Sequence, residues 1–109
     1  MSRRPKAERN FQANLIKELK EKYPDDIITK WDPYQGIPDL LILHEDTWAS
    51  LECKRSENAP HQPNQDYYVD KMNKMAFSRF IYPENKEEVL NELEQSFALR
   101  RSTRIPRSE

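Results

Sequence analysis

Two runs of strand-forming residues, Ile37–Leu43 and Trp48–Lys54, stand four polar residues apart, the spacer being His44-Glu45-Asp46-Thr47. So short a connection permits an antiparallel hairpin and excludes a parallel crossover, which needs about a dozen residues or more. The hairpin also places charges. If Leu43 faces Trp48, residues whose numbers sum to 91 are opposed, so Asp39 faces Glu52. Cross-strand partners point to one side of a sheet with Cβ atoms about 5 Å apart. Side chains alternate along a strand, so Lys54 shares that side with Glu52. One face therefore presents Asp39, Glu52 and Lys54 together.

The rest of the chain supplies cover for such a sheet. Residues 7–23 carry Phe11, Leu15, Ile16, Leu19 and Tyr23 at helical spacing and end before Pro24, which predicts an amphipathic helix. Glu8 projects near the middle of its apolar stripe, whereas Glu18 lies at the flank. Ile27-Ile28-Thr29-Lys30-Trp31 reads as a strand, followed by a turn-prone stretch that holds Gly36, the only glycine. A lone glycine there marks a special backbone angle.

After a polar loop over 55–62, Pro63 opens a helix to about Met75, with Gln65, Tyr68, Met72 and Met75 on one face. Tyr68, Met72 and Met75 are expected in the core. Ala76–Tyr82 is a further strand, and Val89, Leu90, Leu93 and Phe97 mark a last amphipathic helix. The order is helix, three-stranded antiparallel meander, helix, strand, helix, which defines an α/β domain with helices over a central sheet.

At 109 residues there is room for one core and one site. The net charge of −1 conceals an uneven distribution: 7–99 holds 11 Lys+Arg against 18 Asp+Glu. A basic N-terminal arm, 1–6, and a basic tail, 100–109, flank that acidic middle. Such ends suit a phosphate backbone, or else are solvated tails. The single cysteine, Cys53, excludes an internal disulfide, and no N-terminal stretch has the apolar run of a signal peptide or membrane span. A soluble, cytosolic protein without membrane contact is expected.

Opposed carboxylates repel unless a cation lies between them or one holds a proton. A hard divalent ion with oxygen ligands, Mg²⁺ or Mn²⁺, suits the pair. Zinc does not, because His44 and His61 lack zinc-site spacing and Cys53 points to the other face. Such an ion polarises a phosphoryl oxygen and activates water, the two needs of phosphodiester hydrolysis, with Lys54 orienting that water or offsetting charge. The Glu-x-Lys spacing recurs at Glu18–Lys20 and Glu84–Lys86, and Pro24-Asp25 repeats Pro38-Asp39, but in predicted helices or a turn. The alternative reading of the triad is a half-exposed ion network.

These residues resemble the PD-(D/E)XK nuclease superfamily, and within it the small phage proteins of the VRR-NUC and Holliday-junction-resolvase type. The resemblance spans about residues 8–97. It rests on Glu8 before Phe11, on 36–42 (Gly-Ile-Pro-Asp-Leu-Leu-Ile), on 51–55 (Leu-Glu-Cys-Lys-Arg), on Gln65, and on Phe80-Ile81-Tyr82 followed by Pro83. It implies a restriction-endonuclease-like core. It also implies that Asp39, Glu52, the Cys53 carbonyl and Glu8 hold the metal, that Lys54 positions the nucleophilic water, and that Gln65 supports the site. Glycines common in the family after the lysine and before the last strand are replaced here by 55–61 and Met75-Ala76.

The implied activity is Mg²⁺- or Mn²⁺-dependent endonucleolytic cleavage of DNA, branched DNA such as a Holliday junction above all, by a homodimer. If the chain is phage-encoded, it acts in the host cytoplasm. Lys30, Arg55, Arg3, Arg4, Arg100 and Arg101 are the expected DNA contacts. The alternatives are a nicking or sequence-tolerant phage DNA-processing nuclease, a non-cleaving DNA-binding protein, and a protein-interaction module. Cys53 is expected as a small buried hydrophobe, Trp31 and Trp48 as packing residues, and His61 as exposed.

Overall fold

A computed structural model describes residues 4–103. Its elements run α1 (Lys6–Lys22), β1 (Ile27–Lys30), β2 (Leu40–His44), β3 (Thr47–Cys53), α2 (Gln65–Met75), β4 (Ser78–Ile81) and α3 (Lys86–Thr103). The strands form one mixed sheet in the order β1-β2-β3-β4. The first three form an antiparallel meander, and β4 joins β3 in parallel. A parallel neighbour requires a crossover, and the segment containing α2 supplies it. The result is a compact α/β fold with three helices and a four-stranded sheet, the element order read from the sequence.

The β2–β3 register pairs Leu43 with Trp48 and Leu40 with Leu51, as the hairpin pattern predicts. The connection is shorter than expected. His44 and Thr47 also pair, so the turn is Glu45-Asp46, with Glu45 at φ 50°. His44 joins the strand because it is held on both sides: its Nδ1 bonds Asp26 at 2.8 Å and its ring stacks on Phe97. Such contacts lie outside local sequence spacing.

Leu40, Ile42, Ala49, Leu51 and Cys53 share the main core with Leu15 and Leu19 of α1 and with Val89, Leu90, Leu93 and Phe97 of α3. Strand alternation sends Ser50 and Glu52 to the other face, where α2 packs against β3 and β4. The buried residues of α2 are Gln65, Val69 and Met72. Tyr68 is half-buried and stacks on Tyr34, and Met75 is exposed, which corrects the expectation of both as core. The buried face of α2 is centred between Val69 and Met72, and at about 100° per residue both Tyr68 and Met75 fall to one side of it, away from Val69.

The chain ends also differ from the arm-and-tail reading. Lys6 already belongs to α1, and α3 continues through Thr103. Ala98, Leu99 and Arg100 are strong helix formers, and basic residues suit a helix C-terminus, so the helix continues where apolar periodicity has stopped. Arg3 and the stretch 104–109 lie outside the described residues.

Gly36 has φ +88°, and a Cβ there would stand 2.4 Å from the Pro63 carbonyl oxygen and 2.7 Å from Asn64 Cβ. The loop before β2 is therefore seated on the loop before α2. Replacing Gly36 by Ala adds the left-handed backbone penalty of about 1–2 kcal/mol to a clash with main chain. A loss of about 2 kcal/mol or more is expected in urea unfolding, and an unchanged midpoint would show that the two loops do not bear on one another.

Candidate functional site

The β2–β3 ladder begins at Leu40↔Leu51, and the same register carried one residue further sets Asp39 opposite Glu52. Asp39 lies just before β2, and its Oδ1 accepts the Cys53 N–H at 3.2 Å. Its peptide is held by Trp31, whose backbone N–H donates to the Asp39 carbonyl at 3.2 Å and whose Nε1 donates to the Pro38 carbonyl at 2.7 Å. Half-buried Trp31 thus fixes the turn that aims the acid.

Glu52, on the interior strand β3, has no exposed surface, and Asp39 retains 8 %. Helix α1 brings two more polar groups into the same region. Its buried residues, Glu8, Gln12, Leu15 and Leu19, form one stripe that is polar in the first half and apolar in the second. Gln12 Nε2 donates to Asp39 Oδ2 at 2.6 Å. At the start of α2, Gln65 Nε2 donates to Glu52 Oε2 at 3.1 Å, and Gln65 Oε1 accepts the Gln62 N–H at 2.8 Å. Lys54 is buried, and its Nζ donates to the Pro60 carbonyl at 3.1 Å.

Arg4 sits among these acids. Its guanidinium pairs with Glu8, with Asp39 Oδ2 at 2.7 Å and with Glu52 Oε2 at 3.4 Å, and donates to the Cys53 carbonyl at 3.3 Å. An arginine expected to contact phosphate is instead bound to Glu8, Asp39, Glu52 and the Cys53 carbonyl. Sequence reasoning missed Arg4 here because nothing in spacing ties the residue before a helix to a strand end. Gln12 was detectable: it lies one turn after Glu8, a second polar residue on an otherwise apolar stripe.

The other expected contacts are scattered. Lys30, paired with Leu40, is exposed beside the site, as is Arg55. Arg100 Nε lies 3.9 Å from Asp46 Oδ1 at the hairpin turn, the opposite end of β2 and β3 from the acids. Arg101 belongs to α3, but its side chain, like Arg3, lies outside what is described. His61 bonds Asp66 at 2.8 Å and stacks on Phe80, the β4 partner of Glu52.

Burial dominates the electrostatics. It raises Glu52 to about 8, with Asp39 adding to the effect and Arg4 and Lys54 opposing it. It also raises Asp39 to about 6 against the pull of Arg4 and the Cys53 N–H. For Arg4, burial works to lower the pKa, but Asp39, Glu52 and Glu8 outweigh it and the guanidinium stays charged. Burial pushes the Cys53 thiol far up, so it is inert packing.

The donor set fits a hard divalent cation: Glu8, Asp39, Glu52 and the Cys53 carbonyl offer only oxygen. Glu52 Oε1 is buried with no hydrogen-bond partner, and a cation already stands among these groups in the form of a guanidinium. Among the described residues, no three acidic, histidine or cysteine side chains are drawn close enough to hold an ion as they stand. A guanidinium holds its partners on separate N–H vertices, whereas Mg²⁺ gathers oxygens at about 2.1 Å.

No protein-family model, no curated protein and no solved structure matches the chain. No helix among the described residues is long and apolar enough to cross a membrane.

The raised carboxylates set a sign for stability. Between their unfolded values, about 4, and about 6 for Asp39 and 8 for Glu52, the folded chain binds more protons than the unfolded one. Stability without added metal therefore falls as pH rises through that window. Glu52→Gln, which keeps an acceptor for Gln65, is expected to raise the melting temperature in EDTA at pH 8 and to flatten the pH profile. Equal melting curves for the two proteins at pH 8 would contradict this account of Glu52.

Proposed function

We propose that the chain is a divalent-metal-dependent endodeoxyribonuclease of the PD-(D/E)XK type, built on a restriction-endonuclease-like core. One observation carries the reading. Three carboxylates and a backbone carbonyl, drawn from α1, the turn before β2, and β3, converge on a single cation, with Lys54 buried two residues beyond Glu52.

Glu8, Asp39, Glu52 and the Cys53 carbonyl would hold Mg²⁺ or Mn²⁺. When bound, such an ion polarises a phosphoryl oxygen and acidifies water. Gln12 and Gln65 orient Asp39 and Glu52, so each acid keeps one geometry. Lys54, tethered through Pro60, offers a positive charge to the attacking water or to the charge that builds on the phosphate. Lys30 and Arg55, both exposed, would meet the DNA backbone. The proposed substrate is branched DNA, cut by a homodimer because symmetric cleavage needs two sites. The protein then works in the cytoplasm.

Arg4 favours a second reading, a DNA-binding protein whose acid cluster is a fixed ion network. Labelled four-way junction, linear duplex and single-stranded DNA, each with Mg²⁺, Mn²⁺ or EDTA, separate the two. The nuclease cuts only with metal, and Asp39→Ala and Lys54→Ala each lose about a hundredfold or more in rate with an unchanged circular dichroism spectrum. Full cleavage by Asp39→Ala would remove the assignment, and EDTA-insensitive binding without cutting would establish the second reading.

A further inference from the structure

We infer that Arg4 is a built-in occupant of the cation position, which a divalent ion must displace; this rests on the reading of the acid cluster as a metal centre. The guanidinium touches the same four groups that make up the oxygen donor set: Glu8, Asp39, Glu52 and the Cys53 carbonyl. Lys54, the other cation nearby, turns its Nζ to Pro60 instead. Arg4 is also the way in. Its side chain is 31 % exposed, while those of Glu8, Asp39 and Glu52 are 6, 11 and 1 % exposed beneath it.

The backbone allows the exchange. Arg4 precedes Pro5, the N-cap of α1, so it stands outside the helix that fixes Glu8 and Gln12. Rotation at Arg4 withdraws the guanidinium without unwinding α1. On the main chain, the Arg4 carbonyl accepts a bond from Arg9 at 2.7 Å at an exposed position, where water can replace it. Arg4 and a divalent ion cannot share these oxygens, since their charges repel and their geometries differ. Apparent metal affinity is then the intrinsic affinity multiplied by the fraction of chains with Arg4 withdrawn. Loss of the guanidinium should tighten metal binding, and the repulsion among the exposed acids acts in the same direction.

The test is Mn²⁺ binding, read as free Mn²⁺ by electron paramagnetic resonance, for wild type, Arg4→Ala, Arg4→Lys and Glu52→Gln. Arg4→Ala is expected to bind about tenfold tighter or more, equivalent to about 1.4 kcal/mol, with Arg4→Lys between it and wild type and Glu52→Gln weakest. Equal or weaker binding by Arg4→Ala would overturn the inference while leaving the metal centre in place. Absence of binding in every variant would overturn the metal centre itself, and the inference with it. A second measurement needs no variant: in wild type, the Arg4 side-chain Nε–H resonance should move to the position of a solvated arginine as Mg²⁺ saturates the Cys53 amide shift. An Arg4 resonance unmoved at saturation would overturn the displacement.

Discussion

The constraint that organises this molecule is a carboxylate with no solvent, Glu52 on an interior strand of the sheet. Taking such a charge out of water costs several kcal/mol even after relaxation. Its neighbours reduce that cost incompletely. Arg4 and Gln65 reach Oε2, Oε1 has no partner, and the pKa still rises. A well-packed apolar residue at this place would serve stability as well or better. The same holds for Asp39, so the cluster costs stability, and the proposed metal centre would account for that cost.

The fold is arranged to bring those partners to one end of the sheet. The meander opens Asp39 towards Glu52 just where the β2–β3 ladder begins, so a side-chain oxygen takes the Cys53 N–H. The stripe on α1 crosses from core to site within one helix: Leu15 and Leu19 anchor it in the apolar layer, and that anchorage places Glu8 and Gln12. The crossover between β3 and β4 delivers Gln65 from the other side. Gly36, pressed against Pro63 and Asn64, ties the Asp39 turn to the start of that same helix. Four separate segments thus depend on one another through the site.

What could be read from the sequence follows from the range of each signal. Hairpin register depends on a local pattern, and it placed Asp39, Glu52 and Lys54 near one another. Helical periodicity found all three helices and singled out Glu8 as a polar residue facing inward. Where the signal was long-range, it failed. The turn tightened because His44 is held by Asp26 and Phe97, both distant in sequence. Arg4 looked like one of several basic residues at a chain end, because charge composition cannot distinguish a solvated arginine from one bound by Asp39 and Glu52, 35 and 48 residues away. Met75 was misassigned because the stripe was drawn on the Tyr68 side of Gln65 and Met72, whereas the buried face of the same helix turns towards Val69.

Charge also orders the events in the nuclease proposed for this chain. Once Asp39 and Glu52 are both ionised, the carboxylates of Glu8, Asp39 and Glu52 outnumber Arg4 and Lys54, and the site carries a residual negative charge. A phosphodiester approaching it is repelled, and in a poorly solvated site that repulsion is screened weakly by salt. Exchange of a monovalent guanidinium for a divalent ion would add one positive charge and remove the group that covers the acids. A freed Arg4 would add its charge to those of the exposed Lys30 and Arg55. Cation entry before phosphate is thus the electrostatically favoured sequence, and a strand bound first would have to be held by contacts away from the acids.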